Sequence, residues 1–285
     1  MSDTSPFLVS ADWLAERLGT ADLSIVDASW YLPGSGRDQH AEFAAGHIPG
    51  AVFFDQDDIV DPDSKLPHAL PPASVFAEKV SRLGIADTDT IIVYEGPGFF
   101  AAPRVWWLFR LFGAQSVFLL DGGFDAWKAS GKPVESGTPS PALKVFKPSA
   151  SASSSQVASL TDMQAHVEKG DRQIVDARSH GRFTGAKPEP RQGMRSGHMP
   201  GARNVPISSL SEQGKVRSLS ELREIFENAG VDLRQPVVTT CGSGVTAAGL
   251  NFALQSLGHD GVTLYDGSWS EWGALKDTAV ATGDD

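Results

Sequence analysis

Cys241 is the one cysteine in the sequence, and Gly242-Ser243-Gly244-Val245-Thr246-Ala247 follows it directly. A thiol at the mouth of a glycine-rich turn lies among successive backbone N–H groups, which stabilise an anion and favour thiolate over thiol. That suits a nucleophile. By residue type alone an isolated cysteine is as well read as a small buried apolar side chain; the glycines flanking the sulfur are what move the reading to catalysis. Ser243 is either turn chemistry or a proton relay next to the thiol. Arg182 and Arg191, in Gly181-Arg182-Phe183-Thr184-Gly185 and Pro188-Glu189-Pro190-Arg191, offer planar forks to a carboxylate, or are solvated ion-pair residues beside Glu189. His68, in Leu66-Pro67-His68-Ala69-Leu70-Pro71, reads on its own as an exposed loop histidine. Phosphoryl chemistry is disfavoured: a Cys-X5-Arg signature would need arginine where Ala247 stands. A cysteine hydrolase would need a histidine base near the thiol, and only His68 is on offer.

These residues must be carried by a regular scaffold. Pro236-Val237-Val238-Thr239-Thr240 reads as a strand ending at the thiol, and Ala247 to Leu257 as the helix after the turn. The same design is written twice. Ile25-Val26-Asp27-Ala28 returns as Ile174-Val175-Asp176-Ala177, and Gly46-His47-Ile48-Pro49-Gly50-Ala51 as Gly197-His198-Met199-Pro200-Gly201-Ala202. Ile91 to Gly98 aligns with Val237 to Gly244, and Leu120-Asp121-Gly122-Gly123 with Tyr265-Asp266-Gly267-Ser268. The offsets stay between 145 residues (Asp121 to Asp266) and 151 (Gly46 to Gly197), as expected of two copies of one domain. Glu95 therefore stands at the cysteine's place in the first copy. Short β-branched runs alternate with helical patterns at Ala73 to Leu83, Arg104 to Phe112, Ser220 to Ala229 and Ala247 to Leu257, which predicts α/β domains with parallel sheets flanked by helices. Functional loops of such sheets lie at the carboxyl ends of the strands, where Cys241 falls. The expected boundaries are 8–135 for a non-catalytic domain, 136–156 for a Ser/Pro-rich linker and 157–285 for the catalytic domain.

Composition narrows the function classes. The chain has 285 residues and a formal net charge of −11, which argues against binding nucleic acid or an anionic membrane by bulk electrostatics. One cysteine makes neither an internal disulfide nor a cysteine-rich metal site. The start Met1-Ser2-Asp3-Thr4-Ser5-Pro6 lacks the features of a signal peptide, and no run of about twenty apolar residues exists to span a bilayer. A reducing, cytoplasmic setting is the expectation.

In order and spacing, these landmarks resemble the tandem rhodanese-like sulfurtransferases, from about Val9 to Trp272. Further matches are Asp27-Ala28-Ser29-Trp30-Tyr31-Leu32-Pro33 and Ala102-Pro103-Arg104-Val105-Trp106-Trp107. The loop Cys241 to Ala247 is similar to that of the members that use 3-mercaptopyruvate, whereas thiosulfate-preferring rhodaneses place basic residues there. The resemblance implies a silent first domain and, in the second, a Cys241 persulfide formed from 3-mercaptopyruvate with release of pyruvate. The sulfur then passes to a thiol or another nucleophile, such as a thioredoxin-like protein, with no metal or organic cofactor. It assigns Arg182 and Arg191 to the substrate carboxylate, with Gly242, Gly244, Val245 and Thr246 as the backbone cradle. It also places His68 and Asp57 beside Ser243 as a Ser-His-Asp-like chain across the two domains. Thiosulfate sulfurtransfer and a non-catalytic sulfur-carrying module are the alternatives. His47 and His198, like Asp27, Asp176, Asp121 and Asp266, occur in both copies and are expected to be structural, with Trp106 and Trp107 in the core. The first copy is expected to lack arginines equivalent to Arg182 and Arg191.

Overall fold

Strands rich in β-branched residues and buried on both faces need cover from helices, and the chain meets that need twice. The computed structural model describes residues 3–96, 98–149 and 156–284. The first sheet contains β1 (Leu8–Val9), β2 (Leu23–Asp27), β3 (Ala51–Phe53), β4 (Thr90–Tyr94) and β5 (Ser116–Leu120), in the order β1-β5-β4-β2-β3. The second contains β6 (Val157–Ala158), β7 (Gln173–Asp176), β8 (Arg203–Asn204), β11 (Val237–Thr240) and β12 (Val262–Tyr265), in the order β6-β12-β11-β7-β8. The two orders are the same, and every pairing within them is parallel. A small antiparallel hairpin, β9 (Ser211–Glu212) with β10 (Lys215–Val216), stands apart.

Helices α1 (Ala11–Ala15), α2 (Gln39–Ala45), α3 (Ala73–Arg82), α4 (Ala102–Leu111) and α5 (Gly123–Ala129) belong to the first domain. Helices α6 (Leu160–Lys169), α7 (His180–Phe183), α8 (Leu219–Asn228), α9 (Ala247–Ser256) and α10 (Ser268–Trp272) belong to the second. Helix α8 begins one residue before the sequence pattern suggests, because Ser218 and Glu221 cap each other's backbone N–H groups in a capping box. The expected α/β architecture holds in both copies. The short edge strands β1 and β6, and the excursions carrying β3, β8 and the hairpin, are too brief to leave a period in the sequence.

The two helices that follow the functional turns differ from the rest. Nine of the ten residues of α4 are buried, and nine of the ten in α9. A helix apolar all round must be covered all round; α4 and α9 achieve this by packing on each other as well as on their sheets. Trp106 meets Phe252 edge to face at 4.9 Å, and Phe99 meets the same ring at 5.5 Å. Gly249 lets α9 lie close to the Ile207 side chain of its own domain, since a Cβ there would lie 2.2 Å from Ile207 Cδ1 and 3.4 Å from Phe99 Cε1. One apolar core thus runs through both domains, with Trp106 and Trp107 inside it as expected.

Of the linker, residues 150–155 lie outside the described residues. The preceding stretch, 136–149, forms no helix or strand and runs along the first domain. Phe146 is buried against Phe76 and Phe109, and Lys144 pairs with Asp89 at 2.7 Å.

Candidate active site

Strand β11 delivers Cys241 to the carboxyl edge of its sheet, and the thiol is buried, 2% exposed. Its position is fixed within the second domain. Its N–H donates to Ser268 Oγ at 3.1 Å, and its carbonyl accepts from Trp269 N at 2.9 Å. The Gly242 carbonyl accepts from both N and Oγ of Ser270, at 2.8 and 2.6 Å. Gly244 turns the loop with φ +79°, a left-handed conformation that suits glycine, and a Cβ there would lie 3.0 Å from the Asp266 carbonyl. The backbone N–H groups of Gly242 to Thr246 donate to no acceptor among the described residues. They form an amide-lined turn in which negative charge on sulfur is stabilised.

The first copy shows what such a turn holds. The carboxylate of Glu95, at the matched position, accepts from the N–H groups of Phe100 (2.6 Å), Ala101 (2.9 Å) and Ala102 (3.2 Å) at the entrance to α4. A carboxyl group is seated in the cradle there by covalent attachment. Burial pushes Glu95 up to about 7 against the pull of those three donors.

Beside the thiol loop, residues far apart in sequence come together across the domain boundary. Ser243 Oγ lies 3.0 Å from His68 Nδ1, and His68 Nε2 lies 3.0 Å from Asp57 Oδ1. The His68 hydrogen bond holds the Asp57 carboxyl below its usual range, so it is an acceptor at neutral pH and Nε2 carries the imidazole proton. Nδ1 is then free to accept from the Ser243 hydroxyl. The indole of Trp30 completes the arrangement, donating to both Asp57 oxygens at 3.0 and 3.1 Å and standing edge-on to the His68 ring at 4.7 Å.

His68 is buried rather than exposed, and its backbone is in the left-handed region at φ 56°. Two residues hold it there that the sequence analysis left without a role at the site. Arg104, in α4, donates to the His68 carbonyl at 2.8 Å and to Asp266 Oδ1 at 2.6 Å, while Asp266 Oδ2 accepts from Leu70 N at 2.7 Å. Asp266 is thus structural, as expected, but its work is at the interface. Its counterpart Asp121 accepts from Val216 N of the other domain at 3.2 Å, so each copy captures a backbone N–H of its partner. Their repetition was a legible signal of shared structure; the partner each would find was not. His47 and His198 are buried, each bonded through Nδ1 to a carbonyl (Phe43 and Phe183) and stacked on that same residue's ring. Asp27 and Asp176 accept the N–H groups of Ser29 and Arg178.

Arg182 and Arg191 both flank the thiol loop: a Cβ on Gly242 would lie 3.0 Å from Arg182 Nη2 and 3.9 Å from Arg191 Nη1. They are not equivalent. Arg182, on α7, forks onto Glu189 at 3.2 and 2.5 Å, and Glu189 also receives Arg178 at 2.8 Å. Arg191 has no hydrogen bond or ion pair among the described residues, and burial draws its guanidinium below the usual arginine range. The expectation that the first copy lacks such a cation needs correction. Arg37 Nη2 lies 3.7 Å from a Cβ built on Gly96, and Arg37 forks onto Glu42 at 2.9 and 2.5 Å much as Arg182 does onto Glu189. Loop-length differences hid it.

Two cavities lie near the loop, one reaching the relay residues and Arg191 and the other reaching the loop itself at Thr246. One of about 430 Å³ is lined by Trp30, Asp57, His68 and Arg191 among others; a second, of about 600 Å³, includes Trp30, Phe100, Arg182 and Thr246. Val245 turns its side chain into a cluster with Trp30 and Ala101, leaving only its backbone to the cradle. No helix is long and apolar enough to cross a membrane among the described residues.

Comparison with known proteins identifies the family and the fold. The family model described as rhodanese-like domain matches residues 10–130 and 159–275. The chain is 43% identical over 272 residues to the 3-mercaptopyruvate sulfurtransferase of Homo sapiens, covering 93% of this chain and 91% of that one. It is 41% identical over 286 residues to the thiosulfate sulfurtransferase of Cricetulus griseus, covering 97% and 95%. The crystal structure of the Escherichia coli 3-mercaptopyruvate sulfotransferase SseA superposes with a TM-score of 0.84 at 39% identity, covering 94% of this chain and all (100%) of that one.

Proposed function

This chain belongs to the rhodanese-like family, and we propose that it transfers sulfur from 3-mercaptopyruvate, through a persulfide on Cys241, to a thiol acceptor. The observation that carries the choice of donor is the Ser243, His68, Asp57 chain ending beside the thiol loop. A donor whose leaving group is carbon needs a proton delivered to that carbon; thiosulfate, which leaves sulfite, does not.

In the first step the Cys241 thiolate attacks the donor sulfur. The S–S bond forms, the C–S bond breaks, and its electron pair passes to carbon as the enolate of pyruvate. The donor thiol's proton passes through the Ser243 hydroxyl to His68 Nδ1, making an imidazolium whose charge Asp57 balances, and returns through Ser243 to that carbon. The proton lost by the donor thiol equals the one gained by carbon, so persulfide anion and pyruvate result with no net proton uptake. In the second step an acceptor thiolate attacks the outer sulfur, its own persulfide forms, and the Cys241 thiolate returns. The amide-lined loop stabilises sulfur-borne charge in both steps. Arg191, with no ion pair of its own, and Arg182 hold the 2-oxo acid carboxylate. A thioredoxin-like dithiol or a small thiol serves as acceptor, and a reducing compartment such as the cytoplasm keeps the single thiol available.

3-Mercaptopyruvate alone should leave a Cys241 adduct one sulfur heavier by intact mass with one pyruvate released, and excess thiol should then release pyruvate and sulfide in step, a second thiol attacking the acceptor persulfide to give disulfide and sulfide. Higher kcat/KM with thiosulfate than with 3-mercaptopyruvate under one acceptor and one pH would overturn the choice of donor.

A further inference from the structure

The two halves of the site are anchored by different domains. Cys241 and Gly242 are tied to α10 of their own domain through Ser268, Trp269 and Ser270. The proton-relay half, Asp57 and His68, stands on the first domain and rests against Trp30. What supports Trp30 is the loop leading into α4. The Phe100 ring lies parallel to the indole at 6.4 Å (3° between planes), and Ala101 packs with Trp30 and Val245 in one buried cluster. Among the described residues, Phe100 and Ala101 have backbone N–H groups that find their acceptor in a single side chain, the carboxylate of Glu95. Glu95 is itself buried, 5% exposed, on the strand end that carries no nucleophile.

We propose that Glu95 is a positioning residue for sulfur transfer: its carboxylate fixes the loop on which Trp30 rests, and so sets the aim of the Asp57, His68, Ser243 chain. The first domain is then not a vestige of duplication. The side chain that replaced the nucleophile holds the relay used by the other copy. Two features make the assignment specific. Three N–H donors converge on one carboxyl group, two on Oε1 and one on Oε2, an array that an amide, whose nitrogen only donates, cannot satisfy in full. The path from it to His68 is continuous, through Phe100 and Trp30, whose N–H donates to Asp57.

This inference rests on the proposed donor chemistry, because the relay matters only where carbon must be protonated. It therefore predicts a split between donors. Glu95→Gln keeps the shape but turns an NH2 group, or loses an acceptor, toward the three N–H groups. With 3-mercaptopyruvate its kcat should fall about tenfold, as loss of one charge-assisted bond implies, while KM stays within about twofold because Arg182 and Arg191 are untouched. Persulfide formation from thiosulfate, followed by intact mass, should keep its wild-type rate. Phe100→Ala removes the prop without altering the cradle, and should show the same split should Glu95→Gln fold poorly. Wild-type kcat in either folded variant with 3-mercaptopyruvate would overturn the role of Glu95, as would an equal loss with both donors, which marks general loosening. Failure of the wild-type protein itself to release pyruvate would instead overturn the donor assignment, so the two failures are told apart.

Discussion

Arg182 and Arg191 look interchangeable in the sequence, yet their surroundings predict different consequences of deletion. Arg191→Ala removes a cation with no ion pair among the described residues. Its energy is available to the substrate carboxylate, and a hydrogen bond to a charged group is worth about 1.5–3 kcal/mol. At about 1.4 kcal/mol per decade, kcat/KM for 3-mercaptopyruvate should fall roughly ten- to 150-fold. Folding stability should stay within about 0.5 kcal/mol, the usual range for a residue that holds nothing else in place. Arg182→Ala should cost both. Its fork on Glu189 means that part of its charge is already spent, so the loss in kcat/KM should sit at the lower end, about tenfold. Glu189, whose side chain is 4% exposed, is left with Arg178 as its cation. Weakening the support of a buried carboxylate should destabilise the fold by about 1–2 kcal/mol. The assay is steady-state pyruvate release with one acceptor, paired with urea denaturation of each variant. Wild-type kcat/KM in Arg191→Ala, or an Arg182→Ala variant that loses activity but no stability, would refute the reasoning.

Four further outcomes are expected. Cys241→Ser should fold normally and lose turnover, since serine supplies no comparably populated anion near neutral pH; pyruvate release by the folded variant would exclude Cys241 as nucleophile. Glu95, raised from 4.5 to about 7 by burial, binds its proton more tightly folded than unfolded. Its contribution is therefore fully present below pH 4.5 and lost as pH rises through 7, about 3 kcal/mol in all; Glu95→Gln should remove that slope, read as the gap between the two proteins in denaturation at pH 5 and pH 8. Gly244→Ala places a side chain at φ +79° and 3.0 Å from the Asp266 carbonyl, so it should lose about 1–3 kcal/mol of stability together with activity; an unchanged thermal midpoint would contradict the turn geometry. The double variant Glu95→Cys, Cys241→Ser should transfer no sulfur, because Arg37 beside that position is held by Glu42 and the position matched to Ser243 is Pro97, which lies outside the described residues; measurable turnover would show that the cradle alone suffices.

What the sequence determined by itself is local or repeated. The strand, glycine turn and helix around Cys241 are contiguous, so their consequence for a thiol follows from backbone chemistry, and the duplicated landmarks place Glu95 opposite it. Parallel α/β architecture was legible for the same reason, since the periods of β11 and α9 are properties of short segments. The family resemblance brought His68, Asp57, Arg182 and Arg191 into view, and the structure places all of them around the thiol loop. It did not bring in Arg104, Asp266 acting on the His68 loop, or Glu95 acting through Phe100 and Trp30. Each acts across the boundary between the copies, and a repeated residue reads as common structure until its neighbour from the other copy is known. Arg37 was missed for a related reason: it reaches its place beside Gly96 from a loop whose length differs between the copies. Long-range contacts depend on how α4 and α9 pack, and that packing is set by the shapes of Trp106, Phe99 and Phe252 meeting in three dimensions. Composition and periodicity record that these residues are apolar. Only the folded chain records what each one touches.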